Sequence, residues 1–153
     1  MKLPLYLGLL QAAEQTLAAS FRQVADGHGE EPDVYFACQT LAGQCDAHEE
    51  ALAPVVDRYG GAPGDDEPAR LRAEGLSETR TGPVGLLRDL QDVYLLVSFV
   101  ELTWTVVRQA AQALRDRELL EVIDSCAEQT SVQARWCRTR IKQAAPQALV
   151  AAS

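Results

Sequence analysis

Basic residues are scarce in this 153-residue chain, 14 against 22 acidic ones, which leaves a formal net charge of −8 at pH 7. A surface of that sign repels phosphate backbones and anionic headgroups, so neither nucleic acid nor a membrane is an expected partner. Aromatics make up 6% of the chain and there are two histidines. No Gly-rich phosphate loop, no G-x-S-x-G elbow and no calcium-loop register occurs, which removes the nucleotide, hydrolase and EF-hand classes that such motifs announce. Long apolar runs are also missing. The most apolar stretch, Val93 to Val107, falls short of the ~20 residues a membrane-spanning helix needs and carries Glu101 in its middle. Alternating β-branched segments are absent too, so no strand pattern competes with helical spacing.

The chain does have enough apolar residues, 47% with 24% charged, for one soluble domain over residues 1–153. Lys2 and the apolar run from Leu3 to Leu10 look like the start of a secretion signal. The same spacing continues through Leu17, Phe21 and Val24, however, as one helical stripe. Cys38, Cys45, Cys126 and Cys137 all lie in helical patterns, the placement of reduced, buried thiols, and a cytoplasmic location is expected.

Four helices account for most of the sequence, at about 4–26, 32–59, 84–115 and 117–143. Gly27-His28-Gly29 ends the first, with His28 expected in solvent, and Pro54 is expected to kink the second. Asp116 is placed to cap the fourth. The first two helices are joined by a handful of residues and the last two by almost none, so each pair forms a hairpin. The link at 60–83 is long, with room for one short helix around Glu67 to Glu74. It can cross the ~37 Å length of a 25-residue helix, so that the third helix starts where the second did. The expected fold is all-α: an antiparallel four-helix bundle, two hairpins joined by a long crossover.

Each helix carries a polar residue where its apolar stripe should be unbroken. Glu14 lies between Leu10 and Leu17, and Cys45 and His48 sit together on the second helix. Glu101 lies in line with Tyr94, Val97 and Trp104, and Thr130 and Gln133 share the stripe of the fourth helix. The layout resembles the ferritin-like four-helix bundles, whose two-metal centre takes a Glu from each of two helices and a Glu-x-x-His pair from each of the other two. Glu14 matches the carboxylate of the first helix, Glu101 that of the third, and His48 the histidine of the second. Cys45 stands where the family has a carboxylate, and Thr130-x-x-Gln133 stands in place of the fourth-helix pair, so the ligand set is incomplete.

Three readings of Glu14, Cys45, His48 and Glu101 stay open. They could hold one divalent metal ion, zinc, iron or manganese. They could belong to a two-iron site of unorthodox ligands. They could also hold no metal, with Glu14 and His48 hydrogen-bonded in the core and Thr130 and Gln133 completing a polar network. The corresponding functions are a ferritin-like bundle with a degenerate metal site, a metal-free dimerisation or interaction module, and a di-iron oxidase or peroxide-consuming enzyme. No catalytic residue is assigned.

The third helix is apolar nearly all round. Leu95, Phe99, Leu102 and Val106 fall on faces that a four-helix bundle leaves outward, which predicts a homodimer through this helix. The alternative cover is the crossover, with Leu71 and Leu76 lying over it.

Overall fold

The computed structural model describes residues 1–60 and 71–152. Four helices, α1 (Leu3–Gly27), α2 (Pro32–Arg58), α3 (Gly82–Leu114) and α4 (Arg117–Pro146), pack into a bundle, and α4 is followed by a π-helical turn, Gln147–Ala151. Local chemistry explains the helix ends. Prolines sit in the first turns of α1, α2 and α3, where a missing N–H costs nothing. Asp116 caps α4 by accepting the Leu119 N–H at 3.1 Å. Arg115, left-handed at φ 53°, turns the chain between α3 and α4.

Contacts at the two ends set the topology. At one end Arg58 and Tyr59, closing α2, reach the Asp116 carboxylate at the start of α4. At the other end Arg140, late in α4, reaches Asp33 in the first turn of α2 at 2.7 Å. There too His28, just beyond α1, meets Asp89 near the start of α3. Thus α2 and α3 both begin at the end where α1 and α4 finish, so the end of α2 and the start of α3 lie at opposite ends of the bundle. Neighbouring helices are antiparallel: α1 packs on α2 and α3, and α4 on the same two.

The inward stripes are those the sequence spacing gives: Leu7, Leu10, Leu17 and Phe21 of α1 face Leu52, Leu90, Trp104 and Ile123, all fully buried. Pro54 lies inside α2, which continues to Arg58. Two expectations need correction. His28 is not solvated; its side chain is completely buried. The crossover does not close over the outer face of α3: Leu76 donates its N–H to Ser20 of α1, and residues 72–74 border a cleft with Leu95, Leu96 and Phe99, while Leu95 stays 64% exposed. The short crossover helix falls mostly outside the described residues, and the part within them, 71–74, is not α-helical.

Among the described residues α3 is long and apolar enough to cross a membrane by length and composition, with mean hydropathy 1.3 in its most apolar window. Within the bundle 44% of that window is buried.

Candidate functional site

Glu14 sits at mid-height in α1 with its side chain fully buried. An ionised carboxylate there requires donors or a cation, since burial without them costs several kcal/mol. Two donors meet on one oxygen. The Trp104 indole N–H of α3 donates to Glu14 Oε1 at 2.9 Å, and His48 Nδ1 of α2 lies 3.2 Å from the same atom. The other imidazole nitrogen, His48 Nε2, lies 2.7 Å from Gln129 Oε1 of α4, an exposed side chain that covers the ring from outside. Both ring nitrogens therefore face oxygen acceptors, an arrangement that suits the doubly protonated imidazolium. Burial opposes that charge, but the Glu14 carboxylate and the Gln129 oxygen outweigh it and hold the His48 pKa above its ordinary value.

Cys45 lies on the same side of α2. Burial, and then the Glu14 carboxylate beside it, push its thiol well above the usual range, so it is a neutral thiol. Gln133 Nε2 of α4 donates to Gln44 Oε1 at 3.1 Å and approaches Cys45 Sγ at 3.7 Å. Cys38, Cys126 and Cys137 are buried thiols as well, each pushed up to about 12 mainly by desolvation.

The residues singled out by spacing are thus only partly brought together. Glu14, Cys45 and His48 gather, and Gln133 reaches Cys45. Thr130 is buried but donates to its own helix, at the Cys126 carbonyl, 2.9 Å away, and takes no part in the cluster. Glu101 is not in the core: it is half-buried beside Tyr94, and Trp104, one turn on, takes the inward position. A two-metal centre needs carboxylates and imidazoles from all four helices. Here α3 presents an indole N–H, which can only donate, and α4 presents neutral amides. The donor set does not fit such a centre. Among the described residues no group of three or more His, Cys, Asp and Glu side chains could hold a metal ion.

A second buried polar cluster escaped the sequence reading. His28 Nε2 lies 2.7 Å from Asp89 Oδ2, and both side chains are fully buried. Asp89 also accepts the Arg80 backbone N–H at 2.9 Å and its guanidinium at 2.6 Å, and the same guanidinium nitrogen reaches Asp92 at 2.9 Å. The crossover is thereby clamped to the α1–α2 turn and to the first turns of α3. Asp89 is a carboxylate between Leu86 and Val93 on the inward side of α3, and that placement was the available signal.

The outer face of α3 presents Leu95, Phe99, Leu102 and Val106, exposed at 64%, 44%, 62% and 47%. Their spacing of 4, 3 and 4 makes one straight seam along the helix, the pattern of a coiled-coil contact. Searches with this chain match no protein-family model, no curated protein and no solved structure.

Proposed function

We propose that this chain is a metal-free helical association module of ferritin-like layout. Its working surface is the outer face of α3, and its core polar cluster serves only to fix the helices against one another. One observation carries the reading. Among the described residues twelve large apolar side chains are exposed, and six of them lie on α3 against one each on α1, α2 and α4. Isolated exposed leucines are ordinary, but an aligned row on one helix marks an interaction site. The occupant is a second copy. The seam has the self-complementary character of a two-fold contact, and the net charge of −8 disfavours an anionic membrane.

Sedimentation equilibrium tests this. The parent is expected as a dimer at tens of micromolar, and a Phe99→Asp, Leu102→Asp double variant as a folded monomer with association weakened at least 100-fold. A parent that stays monomeric at high micromolar concentration overturns the reading. Flotation of the parent, but not of the variant, with phosphatidylcholine vesicles would assign the face to lipid instead and overturn it equally. For the core, protein purified without chelator is expected to carry no stoichiometric zinc, iron or manganese. One bound metal per chain, lost in a Glu14→Ala, His48→Ala variant, contradicts the metal-free assignment.

A further inference from the structure

We infer that two copies pack their α3 helices antiparallel, about a two-fold axis that crosses α3 between Phe99 and Leu102. The inference rests on α3 being the contact face, and it specifies which residue meets which.

The outward line of α3 is longer than the apolar seam. Its exposed positions run Val84, Arg88 and Gln91 before Leu95, then continue past Val106 to Gln109 and Ala113. The two ends of this line differ. The early end carries a charge, Arg88, whose Nε lies 3.5 Å from Asp92 one turn on. The late end of the line, Gln109 and Ala113, carries no charge on α3 itself, and beside it Val107, Ala110 and Ala113 line a mainly apolar groove of about 340 Å³ against Lys2 and Tyr6.

A parallel pair sets each residue against its own copy. Leu95 and Phe99 would meet themselves acceptably, but Arg88 would face Arg88 and Asp92 would neighbour Asp92, like charges in a contact that excludes water. Parallel alignment would also set the helix dipoles of two 33-residue helices side by side in the same sense. An antiparallel pair removes both conflicts. With the axis between Phe99 and Leu102, Leu95 meets Val106 of the second copy and Phe99 meets Leu102, so every seam residue has an apolar partner. Arg88 then falls opposite Ala113, and Asp92 opposite Gln109. The large side chains of the early half lie over the small floor of the late half, an alternation of large and small that lets two helices approach closely. The other axis positions that set Leu95 on a different seam residue do worse: opposite Leu102, Val106 falls on Gln91 and Phe99 on Ser98, and opposite Phe99, Leu102 falls on Asp92 and Val106 on Arg88, so each loses half of the apolar pairs.

Engineered thiols distinguish the arrangements. A disulfide requires Cα atoms within about 7 Å. In the antiparallel pair the two copies of position 95 are about 16 Å apart, eleven residues of helical rise, whereas 95 and 106 are opposite. Leu95→Cys and Val106→Cys variants are each incubated alone and as an equimolar mixture, with oxidised glutathione as the oxidant, above the concentration at which sedimentation shows a dimer. The mixture is expected to give at least five times the disulfide-linked dimer of either variant alone. Efficient self-linking of Leu95→Cys would establish a parallel pair and overturn the inference while leaving self-association intact. A parent that sediments as a dimer while no combination cross-links moves the contact off this line, which also overturns it. A monomeric parent removes the premise as well. The native cysteines do not interfere, being at most 3% exposed.

Discussion

At the scale of single residues, Glu14 decides what the core is. Its carboxylate is held by an indole N–H and an imidazole and not by a ring of ligands. Removing one member of a buried charged pair strands the other, so Glu14→Ala should cost about 3–5 kcal/mol in urea unfolding, and Trp104→Phe about 1–3 kcal/mol. His48 adds a pH signature. Its folded pKa is raised, so the stability it contributes is complete below its unfolded value of about 6.5 and is lost as pH rises through the higher folded value. The stability gap between the parent and His48→Gln should therefore be larger at pH 6 than at pH 9; a gap that widens with pH would contradict the ion pair. Glu14 and His48 were legible because each interrupts a one-sided apolar stripe. Glu101 misled because α3 is apolar on nearly every side, so spacing could not say which side faces inward. Trp104 held the missing information: a buried indole N–H needs an acceptor, and a carboxylate was on offer across the bundle.

At the scale of elements, helix existence and connectivity were readable from apolar period, proline and glycine punctuation and link length, and boundaries differ by at most three residues. How the crossover is held was not readable. Its hold on the bundle comes from residues far apart in sequence, His28, Arg80 and Asp89, and from close contact at Gly27, where a Cβ would collide with the Thr79 side chain. Gly27→Ala should thus destabilise by about 1–3 kcal/mol, with Thr79→Gly restoring most of the loss, as measured by thermal unfolding of the single and double variants. His28→Ala should loosen the clamp, which trypsin reports as faster cleavage after Arg72 and Arg80.

At the scale of the whole molecule, the described surface combines a surplus of acid with an apolar row on α3, and the proposed self-association would place a second copy on that row. The most direct test is the reactivity of a Leu95→Cys thiol toward a polar maleimide, measured across a dilution series. The native thiols, buried and shifted upward, stay silent. The expected result is a rate that falls at least tenfold as protein concentration rises through the dimer midpoint, while a Val132→Cys control on α4 reacts at one rate throughout. Equal reactivity of Leu95→Cys at every concentration would contradict the assignment of the α3 face.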